Sequence, residues 1–489
     1  MRARAVSGVA ILSVLAAIAT VAGCGGGSSS SSSSGSGSSS TVSAPTITVQ
    51  PVSQSVSAGT AVTLSVTATG DGTLSYQWYK DSSAISGATL SSHAISSAAT
   101  SDAGTYYVVV TNSGGSTTSS SATLTVGTTA TASCDTTYVD SVLSAVTTFE
   151  TALGSTLTAS TFYDSSTYTT AQRNVHKTNW SNLPPGAIQF SRPGITLASV
   201  TTAAQITAFD ALAKVALSTQ GYADFQGVLA ADDYLGYTKD ANGYGADLYH
   251  VAFVGTPSET GSWTLMLGGH HMAFNINFNS GCSYPTPHHV GVEPRTSFTA
   301  NSQTSYNWYG SGSYTVLADK AAAMVAVFSG LDSTSLSSAF LTGQTFSDIL
   351  IGPVEANTGS YAAVTTKFNA IASSSTRGVL VSSLTTAQQA LVTAAITQFT
   401  GDYDSTTAAR LRADYQAGYA STYVAWANSA GAYSSSGPDV ASNGTYMRID
   451  GPRVWIEIAV QNGIVISSQT HYHMMFRDKS YDYFDQLAS

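Results

Sequence analysis

From Gly25 to Ser40 the chain contains nothing but glycine and serine. Such a stretch has no apolar surface to bury and cannot offset the entropy lost on ordering, so it reads as a flexible tether. Whatever folds must fold after it. What precedes it fits an export signal: Arg2 and Arg4 make a basic start, and Val9 to Ala22 is an apolar run too short and wrongly flanked to span a membrane.

That run ends in Val21-Ala22-Gly23-Cys24, which resembles the lipobox of bacterial lipoproteins. The resemblance implies a signal peptide over residues 1–23 and a lipid on the Cys24 sulfur. The tether, residues 24–44, would then hold the protein to a membrane of the cell envelope, at the cell surface or in the periplasm. An ordinary secretory signal is the alternative. The chain has three cysteines, so lipidation of Cys24 leaves Cys134 and Cys282. In an exported protein such a pair suggests a disulfide.

Charged residues make up only 9% of the chain, against about 25% in ordinary soluble domains. The surface must therefore be built from Ser, Thr, Asn and Gly. A net charge of −10 with no basic run after the signal argues against nucleic acid as a partner. With 489 residues, 43% of them hydrophobic, two folded domains with their own cores are expected.

Residues 45–126 carry short alternating segments separated by Gly, Asp and Asn turns, the pattern of an antiparallel sandwich. Tyr76-Gln77-Trp78-Tyr79-Lys80 and Asp102-Ala103-Gly104-Thr105-Tyr106-Tyr107 resemble two strands of an immunoglobulin-like domain. The resemblance makes Trp78 the core tryptophan and Tyr106 the tyrosine-corner residue. Val66 and Val108 stand where many relatives have cysteines. Residues 127–133 read as a linker of small residues.

The second domain, residues 134–489, mixes helical and strand periodicities without regular alternation, which predicts an α+β fold. Thr202 with Gln205 and Thr385 with Gln388 have the spacing of capping boxes that open helices. Ala408 to Ala427 reads as a further helix. Two strands are expected between Tyr249 and Phe278. Four more are expected at Tyr446–Ile449, Val454–Val460, Ile464–Ser468 and His471–Arg477. The fold class is thus multidomain, an all-β immunoglobulin-like sandwich followed by a larger α+β domain.

Trp180-Ser181-Asn182-Leu183-Pro184, Arg192-Pro193-Gly194, Gly268-Gly269-His270-His271-Met272-Ala273-Phe274-Asn275, Gly291-Val292-Glu293-Pro294, Gly451-Pro452-Arg453 and His471-Tyr472-His473 through Arg477-Asp478 occur in this order. Together they resemble the domain of unknown function thirty-five hundred of bacteria and fungi. The likeness covers nearly the whole second domain and implies no established activity. The end departs from the family pattern, with Phe484-Asp485 after Tyr483.

Six of the nine histidines fall in three clusters: His270-His271, His288-His289 and His471/His473. Residues two apart on a strand point the same way, so His471 and His473 present two imidazoles on one face. His270 and His271 are adjacent and would face opposite sides of a regular strand, unless the preceding Gly268-Gly269 allows a bulge. His270 or His271 joining His471 and His473 would make a three-imidazole site suited to Zn or Cu. A metal-free polar pocket and a purely structural network stand beside that reading. His288-His289 follows Pro285 and Pro287 and reads as a surface loop, His250 as ordinary core.

Arg453, Glu457 and Arg477 are the candidate catalytic residues: the arginines to hold a carboxylate bidentately, Glu457 as general base or as a partner to a histidine. No Ser-His-Asp arrangement, phosphate loop or dinucleotide fingerprint is present. Two functions follow. One is a surface-anchored enzyme with a histidine-lined site, with or without a metal, acting on a small molecule or exported polymer. The other is a non-catalytic surface ligand-binding or adhesion protein.

Overall fold

A computed structural model describes residues 42–57, 62–95, 98–127, 134–180, 191–239, 241–300, 308–351, 361–372 and 377–482. The signal segment, Cys24, the tether to residue 41, linker residues 128–133 and Tyr483 lie outside the described residues.

The N-terminal domain is an immunoglobulin-like sandwich built from strands between Thr46 and Gly127. Trp78 is fully buried among Val62, Leu64, Val66, Val108, Val110 and Leu124. Val66 and Val108 therefore close the core by apolar packing. The Tyr106 hydroxyl donates to the Asp102 carbonyl at 2.7 Å, as a tyrosine corner requires.

The second domain is α+β. Its helices are α1 (Thr136–Thr161), α2 (Thr170–Thr178), α3 (Ala203–Ala216), α4 (Thr219–Asp233), α5 (Ala318–Ser329), α6 (Ser333–Ala339), α7 (Tyr361–Ala372), α8 (Thr386–Thr400) and α9 (Ser405–Ala417). Both predicted capping boxes form, at the starts of α3 and α8. The strands that matter here, numbered within this domain, are β1 (Phe162–Tyr163), β2 (His250–Val254), β3 (Trp263–Gly269), β4 (Met272–Asn279), β5 (His288–Val292), β6 (Val379–Leu380), β7 (Tyr423–Ala427), β8 (Tyr446–Asp450), β9 (Val454–Asn462) and β10 (Thr470–Asp478). They form one twelve-stranded sheet in the order β1-β2-β3-β4-β5-β10-β9-β8-β7-β6, with Ile195–Thr196 and Cys282–Tyr284 pairing at its margins. Cys134 and Cys282 are joined by a disulfide, with Cα atoms 4.7 Å apart.

Alternation along the strands divides the sheet into two faces. One carries Phe253, Leu265, Phe274, Ile458, Met474 and Phe476 and packs on the helices in a large apolar core. The other carries Ala273, His289, His473, Met475, Glu457 and Ala459, and is covered by Trp180, Leu341–Ile351 and residues of α7.

Three expectations are corrected. The predicted helix from Ala408 ends at Ala417, because Gly418 caps it, and Tyr423-Val424-Ala425-Trp426-Ala427 is strand β7. Its aromatic and β-branched residues suit a pleated, buried surface. Tyr249 to Phe278 yields three strands, not two. Ile464–Ser468 is a turn, its first backbone N–H groups satisfied by the Glu293 carboxylate rather than by a neighbouring strand.

Candidate metal centre

His270 and His271 form the two-residue turn between β3 and β4, with Gly269 paired to Met272. His271 takes φ +59°, a left-handed conformation uncommon outside glycine. Its surroundings hold it there. The Tyr249 hydroxyl donates to the His270 carbonyl, and the Gly291 N–H donates to the His271 carbonyl at 2.6 Å. Strain over-determined in this way is commonly found at functional sites. The turn also frees the two imidazoles from the alternation of a strand. They lie on one side, ring centroids 3.6 Å apart.

β10 delivers His471 and His473 to the same place, with centroids 4.9 Å apart. The His271 ring is 5.8 Å from His471 and 5.5 Å from His473. Ligand nitrogens of His271, His471 and His473 all lie within 4.8 Å of one another, and all three residues are buried. The approach depends on Gly291. A Cβ there would stand 2.9 Å from His271 Cδ2 and 3.2 Å from His473 Cδ2.

Two carboxylates orient the rings. Asp348 Oδ1 is 2.8 Å from His473 Nδ1, a carboxylate contact that orients the ring so that Nε2 is the nitrogen a metal would take. Asp232, at the end of α4 where the helix passes into a π-helical turn, sits 2.8 Å from His270 Nδ1 and 3.8 Å from His271 Nδ1. Burial, then the neighbouring imidazoles, holds His271 well below the ordinary histidine range. Burial and His473 push His471 down to about 3. These rings are therefore neutral, the form in which imidazole binds a metal. His471 Nδ1 is buried without a hydrogen-bond partner, which leaves that nitrogen to serve as a ligand. The residues fit a transition-metal ion: three nitrogen donors, with a carboxylate hydrogen-bonded behind His473 and another near His271.

His288 and His289 are not on a surface loop. They begin β5, and both are buried. His289 faces the site, 5.6 Å from the His473 ring and 6.1 Å from Trp180, with neither ring nitrogen hydrogen-bonded. His288 faces the helices, against Phe274 and Tyr403. Beside Ala273, the register partner of His289, a cavity of about 20 Å³ lined by Trp180, Arg192, Met266 and Asn275 has room for about one water. His250 is partly buried at the start of β2 on the wall of that cavity.

None of the candidate catalytic residues joins the ring cluster, although Arg477 lies close by, over the Trp180 ring at 5.8 Å. Arg453 precedes β9, about 20 Å along the strand from the residue opposite His473. Its guanidinium is bound by Asp414 and Asp478, so it does not reach the histidines. Arg477 shares a face with His473 but pairs with Asp482. The Glu457 carboxylate accepts the Leu350 and Ile351 N–H groups and the Tyr446 hydroxyl. It fastens the segment that bears Asp348 and is not placed as a base. The sequence does not point to Asp232 or Asp348, and it names His289 and Gly291, one in a histidine cluster and one in a family motif, without placing them at the site. Asp348 carries no local signal, as one acidic residue in a loop, and Asp232 shows only as half of the Asp232-Asp233 pair at a helix end. His289 was visible only as half of a histidine pair.

The profile of the family described as "Protein of unknown function (DUF3500)" matches residues 137–485. That of "Immunoglobulin domain" matches residues 44–112. Among solved structures, a chimeric titin Z1Z2 carrying a decorin peptide is 32% identical over 18% of this chain and 98% of its own, with a TM-score of 0.17. Drosophila OTK extracellular domains 3-5 are 25% identical over 18% of this chain and 32% of theirs, with a TM-score of 0.16. A search of curated proteins finds no match. No helix among the described residues is long and apolar enough to cross a membrane.

Proposed function

Because the chain belongs to the DUF3500 family of proteins of unknown function, we propose a function for its second domain from the site itself: a metal-dependent enzyme of the bacterial cell envelope. Its ion, Zn or Cu, is held by His271, His471 and His473. The observation that carries this reading is the convergence of three buried imidazoles, from a strained turn and a distant strand, within 4.8 Å. Two carboxylates stand behind the histidines. Three nitrogen ligands leave a coordination position open, as in catalytic rather than structural sites. A bound ion would supply Lewis-acid activation of a water or carbonyl oxygen. The substrate is a small molecule or an exported polymer, and a lipid on Cys24, the Gly/Ser tether and the immunoglobulin-like domain as spacer hold the site at the cell surface or in the periplasm.

The test is metal analysis of the purified protein. About one or more equivalents of Zn or Cu are expected in the wild type. Little is expected in His471→Ala/His473→Ala, with an unchanged circular dichroism spectrum. A wild type that neither copurifies with nor binds either metal would overturn the reading in favour of a surface ligand receptor.

A further inference from the structure

We propose that the site holds two metal ions, with the imidazole of His271 bridging them; this rests on the metal-centre reading above and extends it. Two sets of candidate ligands meet here. His271, His471 and His473 form one; Asp232, His270 and His271 form the other, and within each set the ligand atoms lie within 4.8 Å of one another. His271 belongs to both.

The orientation of its ring allows it to serve both. The Nδ1 edge is turned to Asp232, with Nδ1 3.8 Å from Oδ1. The Cδ2 edge, which carries Nε2 beside it, is turned to Gly291 and His473, where one added Cβ would touch Cδ2 of both rings. One imidazole therefore offers its two nitrogens in two directions, each toward a different pair of ligands.

The second position has an unused donor of its own. Asp232 is 1% exposed. Its Oδ1 meets His270 Nδ1, and its Oδ2 has no hydrogen-bond partner. The nearby Tyr249 hydroxyl has a single proton, directed to the His270 carbonyl. A buried carboxylate oxygen left without a donor is costly, and a cation satisfies it. Two imidazole nitrogens and one carboxylate make a donor set familiar for Zn²⁺. Metal–nitrogen bonds of about 2.0–2.1 Å on either side of the ring would set the ions about 6 Å apart. The ligand atoms need to draw in by about 1 Å to reach bonding distance, a rotamer-scale adjustment.

Neutral His271 carries one ring N–H; one ion takes the lone pair of the other nitrogen, and the second replaces that single proton, which leaves to solvent as the ring becomes an imidazolate. Site one is then His271 Nε2, His471 and His473, with Asp348 behind His473. Site two is His271 Nδ1, His270 and Asp232. The geometry suits a substrate with two oxygen donors, such as a carboxylate or phosphate ester, spanning the ions.

The experiment is titration of the chelator-stripped full chain with Zn²⁺, followed by elemental analysis after desalting. Two equivalents are expected in the wild type, one in Asp232→Asn and one in His270→Ala. With Cu²⁺, the mononuclear paramagnetic resonance signal at one equivalent should diminish as the second couples to it. One equivalent in the wild type, retained in Asp232→Asn, would overturn the bridge and leave the single-ion reading standing. One equivalent that disappears in Asp232→Asn would also overturn it, making Asp232 an orienting carboxylate only. No bound metal would overturn both. The wild-type stoichiometry and the Cu²⁺ coupling decide the matter even if the variants misfold.

Discussion

Gly291 sets how closely the imidazoles approach. Its N–H holds the His271 carbonyl, and its missing Cβ leaves the space into which two rings turn their Cδ2 edges. Gly291→Ala should force those rings and the Tyr472 carbonyl apart. It is expected to destabilise the domain by about 1–3 kcal/mol and to weaken metal binding, both read by thermal melts with and without Zn²⁺. A melt that Zn²⁺ raises as much as in the wild type would show that the close approach is not needed. The same burial makes the site sensitive to acid when it is empty. His471 titrates near 6.5 when unfolded but at about 3 when folded, chiefly through burial and then through His473. Between these values the unfolded chain binds more protons, so stability rises with pH across the window and is lost as pH falls through it. In urea unfolding of the metal-free protein, His471→Gln should flatten this loss between about pH 6.5 and 3. An unchanged slope would show that His471 is not held neutral.

At the scale of elements, the segment around Asp348 is attached to the sheet by Glu457, which takes two consecutive backbone N–H groups at 2.7 and 2.9 Å. Glu457→Ala would leave those donors buried and unpaired, at about 1–3 kcal/mol each. It would also let Asp348 move away from His473. A lower melting temperature together with weaker Zn²⁺ affinity is expected. A loss of stability with affinity intact would separate the anchor from the site. The last strands were legible because β9 is a long, mostly apolar run and β10 sets His471 and His473 two apart before an apolar Met474-Met475-Phe476. Tyr423–Ala427 was misread as helix because alanines continue across the Gly418 break and a five-residue apolar strand has no period of its own.

For the whole molecule, the two domains have separate cores, the sandwich built on Trp78 and the α+β domain on its sheet. Trp78→Ala should lower the stability of the sandwich by about 3–5 kcal/mol while metal content stays at the wild-type level. A parallel loss of metal would tie the sandwich to the site. The sequence by itself marked an immunoglobulin-like sandwich followed by a larger α+β domain, because two local motifs and the strand and helix periodicities suffice for that. It also marked the ring-bearing clusters, since a pair of histidines two apart on a strand must share a face. Only the tertiary structure decided which groups complete the site. His271 reaches His471 across a sequence gap that the sheet order β3-β4-β5-β10 closes. Asp232 and Asp348 arrive from a helix end and a covering loop. Arg453 and Glu457, close in sequence to the histidines, are held by other partners. Strand register and helix packing set these distances, and neither is written in the spacing of residues along the chain.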